Sequence, residues 1–330
     1  MSSKRINKKK LEKQYKNACW QGYCPSLAER KNDKIIELAN RLKADSKKET
    51  LTNIAEWQNN NVVYWFERYP LSIILEAFVI IFLGSLYSGF LLGLWLLWWL
   101  VAILGAISAT LLAMTILMTA YYRKISLRHL YNVFSFSNPI NFLVEKKLAV
   151  CRDYTKLTAC LLFNIYPETE VYFVHASNHI ATGIMVGENL YILDKYLPVA
   201  TFDKWHKRWH KRKFSAKKVE RAEDIYMESV DPNSLLPKTN SSKLDKDRLA
   251  SELERLLSIQ RSKGNSKKNP LVILRWKNGA LLYKDDEIVN YSIAQRLKKI
   301  ISNEILDTNR VANIRIDLNK DDLIFQAELK

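Results

Sequence analysis

The chain has 330 residues, a net charge of +17 and four cysteines. This length allows one sizeable domain with accessory segments or two modest domains, and four scattered cysteines exclude a disulfide-stapled fold. The excess of Lys and Arg predicts an anionic partner surface, either lipid headgroups or phosphate backbones.

Residues 1 to 50 form a basic region with a mostly helical pattern. They contain no continuous apolar stretch of the kind that a cleavable signal peptide requires, so we expect the N-terminus to remain in the cytoplasm. Thiols there stay reduced. Because a structural zinc site normally has four ligands, Cys19 and Cys24 alone cannot complete one, and we interpret them as free thiols.

A long apolar block occupies residues 70 to 122, which contain no Lys or Arg and a single acid, Glu76. Each membrane crossing needs about 20 apolar residues. The block therefore predicts a hairpin of two transmembrane helices, at 71 to 92 and 98 to 120. Basic residues flank the hairpin and are absent from its turn, which by the positive-inside rule places both flanks in the cytoplasm.

The segment from 140 to 200 contains the residue types of a thiol enzyme. Cys151 opens a helical pattern, and the free N–H groups and dipole of a first helical turn favour a thiolate. Three strand patterns follow; His179 begins the second and Asp194 ends the third. A thiol, an imidazole and a carboxylate can act as nucleophile, base and orienting group.

The turn between the last two strands favours His179 over His175 as the base. A two-residue loop beginning with Gly187 is a common hairpin turn. The register that it sets places His179 and Asp194 on the same face of the sheet as diagonal neighbours. His175 lies on the preceding strand and reads as an ordinary strand-end histidine.

These residues resemble the transglutaminase-like superfamily of papain-related thiol enzymes. The signature of that family is a helix beginning Cys-Arg-Asp-aromatic, a strand beginning with His and a later strand ending Leu-Asp-x. This chain has Cys151-Arg152-Asp153-Tyr154, then His179, then Leu193-Asp194-Lys195. Residues 51 to 69 are similar to the first helix and extended piece of that domain. The chain departs from the family after His179, where Ile-Ala-Thr replaces an aromatic pattern.

The resemblance implies an α+β fold, with a papain-like or transglutaminase-like core of a helix and an antiparallel sheet that the transmembrane hairpin interrupts. The chain also resembles functionally uncharacterised, chiefly archaeal, membrane proteins with this arrangement. The implied activity is amide hydrolysis or acyl transfer on a peptide, protein or glycopeptide substrate: Cys151 attacks, His179 relays protons and Asp194 orients His179. We expect no cofactor and no metal. The alternative is a catalytically silent membrane scaffold that uses the same fold to bind a partner.

Residues 201 to 265 read as a basic arm followed by a linker helix. Indole rings among Lys and Arg are typical of a segment that lies on anionic lipid. The predicted membrane-surface residues are Trp205, Lys207, Arg208, Trp209, Lys211 and Arg212. His206 and His210 have the spacing of two metal ligands on one helical face, but the neighbouring cations would repel a metal ion. No nucleic-acid motif accompanies the charge, so we expect no specific nucleic-acid partner; a basic face that is simply solvated is the alternative.

Residues 270 to 330 predict a small α+β module of order ββαββ, joined to the rest by a flexible linker. The strand patterns are LVILRW, ALLYK, VANIRID and DLIFQAEL, and the helical pattern is SIAQRLKKII.

Overall fold

The computed structural model describes two compact units. The first joins residues 1 to 62 with residues 151 to 330, and the second comprises Val63–Val150. The described residues are 2–64, 138–177, 179–195, 198–208, 213–237, 245–257, 271–277, 279–283, 285–304, 311–320 and 322–329, with isolated positions between 99 and 113.

The first unit begins with four helices: α1 (Ser2–Trp20), α2 (Leu27–Arg30), α3 (Asp33–Leu42) and α4 (Lys47–Asn61). Side-chain caps separate the last three. Ser26 and Glu29 form a capping box at α2, and Asn32 and Ser46 accept hydrogen bonds from backbone N–H groups at the starts of α3 and α4. Each cap satisfies N–H groups that the first helical turn leaves without a partner, so the basic region folds as distinct helices.

The second unit contains β1 (Val63–Tyr64), α5 (Ile140–Lys146) and β2 (Leu148–Ala149). β1 pairs with β2 in parallel, Val63 opposite Leu148. The sequence assigned residues 140 to 150 to the catalytic piece, whereas they belong to this separate unit.

Within the described ranges, no helix combines the length and apolar character needed to cross a membrane. The predicted spans at 71 to 92 and 98 to 120 lie outside those ranges, apart from the isolated positions between 99 and 113, which are helical.

The centre of the first unit is α6 (Cys151–Ile165), which is buried along most of its length. Hydrogen bonds join α6 to α4 and to Val62, the residue that follows α4. The amide of Gln58 donates to Thr158 Oγ1 at 2.8 Å, and the hydroxyl of Tyr154 donates to the carbonyl of Val62. The segments on either side of the second unit therefore form one core.

An antiparallel sheet packs against α6 and has the strand order β6-β5-β4-β3-β7-β8. Its strands are β3 (Val171–Ala176), β4 (His179–Val186), β5 (Asn189–Leu193), β6 (Ala200–Thr201), β7 (Phe214–Val219) and β8 (Glu228–Val230). Thr155 of α6 donates to the carbonyl of Ile180, and Thr182 donates to the carbonyl of Thr155, at 3.1 and 2.9 Å. These bonds fix α6 against β4.

The opposite face of the sheet is covered by α7 (Phe202–Arg208) and a 3₁₀ helix, Pro232–Leu235. Phe202 and Trp205 of α7 pack with Tyr172 and Val174 of β3 in one buried cluster. The first unit thus has a sheet between two layers, as expected for an α+β fold with an antiparallel sheet.

The C-terminal part contains α8 (Lys246–Leu256), β9 (Leu271–Trp276), α9 (Glu287–Glu304), β10 (Val311–Asn319) and β11 (Asp322–Leu329). The strands form an antiparallel sheet of order β10-β11-β9. The predicted second strand, ALLYK, is wrong: Gly279–Leu282 form a 3₁₀ helix. The ring of Trp276 lies where a Cβ of Gly279 would stand, so the chain folds back over this ring instead of extending.

Hydrogen bonds connect the C-terminal part to the six-stranded sheet. The hydroxyl of Tyr191 on β5 donates to Asp286 at 2.6 Å, and the N–H of Val199 donates to Ser292 on α9 at 2.8 Å. Consistent with these bonds, α9 belongs to the same compact unit as that sheet.

Candidate active site

Cys151 is the first residue of α6 and is partly exposed. Its carbonyl accepts a hydrogen bond from Thr155 Oγ1 at 2.9 Å, and the same hydroxyl contacts β4 through Ile180. Thr155 therefore holds the helix start at the sheet. The N–H groups of a first helical turn have no intrahelical partner, so negative charge on the Cys151 side is favoured.

His179 and Asp194 meet at the ends of adjacent strands. The hairpin between them has the predicted register, with Val186 opposite Asn189, and Gly187 adopts a φ of 60°. His179 Nε2 and Asp194 Oδ2 are 2.9 Å apart. Because Nε2 is bound to the carboxylate, Nδ1 is the ring nitrogen left for another group.

The carboxylate of Asp194 accepts three hydrogen bonds. Besides the bond from His179, Oδ2 accepts from Trp205 Nε1 at 3.0 Å and Oδ1 accepts from the N–H of Lys195 at 2.7 Å. Burial alone would raise the pKa of Asp194, but these bonds hold it below its ordinary value, so the group stays ionised.

The third member, Cys151, lies close enough to His179 to raise the pKa of the imidazole. Burial would lower the pKa of His179, but its hydrogen bond to Asp194, its interaction with Cys151 and the negative charges of both raise that pKa to about 9. At neutral pH the imidazole is therefore protonated. It lies between a thiol and a carboxylate, and it can exchange a proton with a group that reacts at the sulfur.

Trp205 is a functional residue that the sequence placed wrongly. We expected it at the level of lipid headgroups, but its side chain is 2% exposed and bonds to Asp194. Its ring lies 6.1 Å from that of His179, where it covers the His179–Asp194 pair. The i, i+3 spacing of Phe202 and Trp205 was the available signal, because it puts both aromatic rings on the inward face of α7.

Of the other predicted membrane-surface residues, two are exposed and three lie outside the described residues. Lys207 and Arg208 are exposed on α7, whereas Trp209, Lys211 and Arg212 lie outside the described residues. His206 packs against the rings of Phe202 and Phe214, and burial lowers its pKa. His210, its possible partner as a metal ligand, also lies outside the described residues.

Lys195 is a second residue near the site, which the sequence noted only as the variable position after Asp194. Its ammonium group interacts electrostatically with Asp194 and Cys151. Burial lowers the pKa of Lys195, and attraction to those two groups opposes the change. Lys195 therefore adds a positive charge beside the His179–Asp194 pair.

Comparison with known proteins gives two matches. The sequence model of the transglutaminase-like domain family matches residues 33 to 222, more than half of the chain. The UPF0252 protein MJECL39 of Methanocaldococcus jannaschii is 24% identical over 307 residues, which cover 81% of this chain and 84% of that protein. No solved structure matches the chain.

Proposed function

Because the chain belongs to the transglutaminase-like domain family, we propose that it is a thiol enzyme acting on amide bonds by hydrolysis or acyl transfer. The observation that supports this most directly is the 2.9 Å hydrogen bond between His179 and Asp194, with Cys151 at the start of a buried helix and interacting with His179. Its substrates are amides of peptides, proteins or glycopeptides, as the resemblance implies.

In the proposed reaction, the thiolate of Cys151 attacks the carbonyl carbon and forms a C–S bond. Free N–H groups of the first turn of α6, including that of Cys151, stabilise the negative oxygen that develops. His179 then gives its proton to the leaving nitrogen as the C–N bond breaks. A thioester on Cys151 remains.

Water or an amine next attacks the thioester. The neutral His179 takes the proton of this nucleophile, the C–S bond breaks and Cys151 is regenerated. Asp194 remains ionised throughout and stabilises the imidazolium, while Trp205 and the N–H of Lys195 hold the carboxylate in place.

The test is acylation by p-nitrophenyl acetate, an activated acyl donor, followed by tryptic mapping. We expect the acetyl group on the peptide of residues 148 to 152, which contains Cys151 and no other cysteine. Cys160 should not react, because it is fully buried and burial raises its pKa well above the ordinary value.

Cys151→Ser should lose the fast release of nitrophenol, and Cys19→Ser is the matched control that should retain it. Acylation of Cys19 or Cys160 at the rate of Cys151 would contradict the assignment of the nucleophile. A folded wild-type protein that does not acylate at all would favour the silent scaffold.

The same proposal places the enzyme at the cytoplasmic face of a membrane, anchored by the hairpin of residues 71 to 92 and 98 to 120. Its support is the sequence: no Lys or Arg occurs from 70 to 122, and basic residues flank that block. In this arrangement the exposed Lys207 and Arg208 would add positive charge near anionic headgroups.

This topology predicts that both ends of the chain lie in the cytoplasm. Two reporter fusions, one after residue 60 and one after residue 330, should both give cytoplasmic activity, since an even number of crossings returns the chain to its original side. Reporters on opposite sides, or recovery of the full chain without membranes, would overturn the proposal.

A further inference from the structure

A second pair of thiols lies in the first unit, apart from the catalytic residues. Cys19 is in the last turn of α1 and is partly exposed, whereas Cys24 follows the turn after α1 and is fully buried. Gly22 adopts a φ of 81°, which lets the chain reverse sharply. The N–H of Cys24 then bonds to the carbonyl of Ala18 at 3.3 Å, which brings Cys24 back against Cys19.

The reversal leaves the two thiols close enough to affect each other's ionisation, and the hydroxyl of Tyr15 also acts on Cys19. The thiol of Cys24 donates to the carbonyl of Pro25 at 3.7 Å. Both cysteines are free thiols. Because the turn at Gly22 brings the backbone of Cys24 back to the last turn of α1, a local movement of the side chains would let the two sulfurs form a disulfide bond.

The surroundings distinguish the two thiols. The interaction with Cys24 is the main reason that the pKa of Cys19 lies below its usual value; burial opposes this, and Tyr15 and the guanidinium of Arg30 support it. Burial raises the pKa of Cys24. Arg30 is itself 3% exposed and donates to the hydroxyl of Tyr15 at 3.1 Å, so the cation is fixed beside the pair.

We propose that Cys19 and Cys24 are a reversible oxidation site, at which a hydroperoxide converts the neighbouring thiols to a disulfide. The thiolate of Cys19 attacks the terminal oxygen of the hydroperoxide; the O–O bond breaks, the peroxide is reduced and Cys19 becomes a sulfenic acid. The sulfur of Cys24 then attacks that sulfenic sulfur, an S–S bond forms and water leaves. A small-molecule dithiol restores both thiols by exchange and is itself oxidised.

The site lies where the N-terminal segment meets the sheet. Between the two cysteines and β3, the ring of Tyr23 packs edge-on against His175, with centroids 4.9 Å apart, and Tyr23 accepts a hydrogen bond from Lys217 at 3.0 Å. A disulfide would cross-link the turn that carries Tyr23. The inference is independent of the proposed catalysis, since none of these groups contacts Cys151, His179 or Asp194 in the interactions described above.

The test treats the reduced full-length protein with hydrogen peroxide, blocks remaining thiols with N-ethylmaleimide and maps tryptic peptides. The peptide of residues 17 to 30 contains Cys19 and Cys24 and no other cysteine. We expect it to lose two hydrogens and both maleimide labels, and to regain the labels after dithiothreitol. Its thiols should be lost at least about tenfold faster than that of buried Cys160, because reaction follows thiolate character and exposure.

Two variants sharpen the result. Cys19→Ser should leave Cys24 as a thiol, whereas Cys160→Ser should form the disulfide as the wild type does. Phenylarsine oxide, which bridges neighbouring thiols without oxidising them, should protect both cysteines of the wild type from maleimide. Two labelled thiols after peroxide treatment, or a sulfinic acid on Cys19 without a cross-link, would overturn the inference, as would maleimide labelling that phenylarsine oxide leaves unchanged.

Discussion

We expect His179→Ala to slow acylation of Cys151 by about 10²- to 10⁴-fold, the usual contribution of a positioned acid or base. The imidazole interacts with both the thiol and Asp194, and its pKa of about 9 keeps it protonated at neutral pH. The measurement is nitrophenol release from p-nitrophenyl acetate, with circular dichroism to establish that the variant is folded.

His175→Ala is the matched control, because it removes a histidine from the neighbouring strand. His175 pairs with Ile180, one position beyond His179, so the two imidazoles point to opposite faces of the sheet. Burial, and to a lesser extent the charge of Lys217, lower the pKa of His175 to about 4. His175→Ala should therefore retain most of the acylation. If His175→Ala abolished it and His179→Ala did not, the assignment of the base would be wrong.

The second large effect is a change in the free energy of unfolding with pH, caused by the proton on His179. The pKa of His179 is raised from 6.5 to about 9 in the folded chain, so the folded state binds its proton more tightly than the unfolded state does. The stabilisation from this proton is complete below pH 6.5 and is lost as the pH rises through 9. The shift corresponds to a free energy on the order of 3 kcal/mol.

Urea unfolding of the wild type and of His179→Gln, measured over this pH range in the same buffers, isolates the effect. Glutamine can still donate a hydrogen bond to Asp194 but does not titrate. The pKa of Lys195 is lowered, which makes stability rise with pH, but Lys195 is present in both proteins. We expect the advantage of the wild type to shrink between pH 6.5 and 9. Parallel curves across this window would refute the role given to the proton.

The positions of the three candidate catalytic residues followed from local patterns in the sequence. Cys151 opens a helix because a continuous helical pattern starts there, and His179 and Asp194 share a face because the two-residue turn at Gly187 sets the register. Both features depend on neighbours in the chain, which a sequence displays directly.

Trp205 shows why contacts between residues that are distant in sequence were harder to predict. Trp205 lies eleven positions after Asp194, and no local pattern specifies the bond between its indole N–H and that carboxylate. The basic residues near Trp205 suggested a lipid surface. They lie on the exposed side of a short helix, however, and do not show that Trp205 is on the buried side. The strand predicted in ALLYK failed for a related reason: packing of the Trp276 ring on Gly279 outweighs the β-propensity of the apolar residues that follow.

The core of the first unit connects parts of the chain that are far apart in sequence. Gln58 and Val62 contact α6 across the whole of Val63–Val150. Pairing of Val63 with Leu148 brings the two ends of the second unit together, which lowers the entropy cost of joining α4 to α6 across it. During synthesis the helices before Val63 cannot pack against α6 until the ribosome has made α6. The order of folding therefore depends on the second unit, Val63–Val150, as well as on the core.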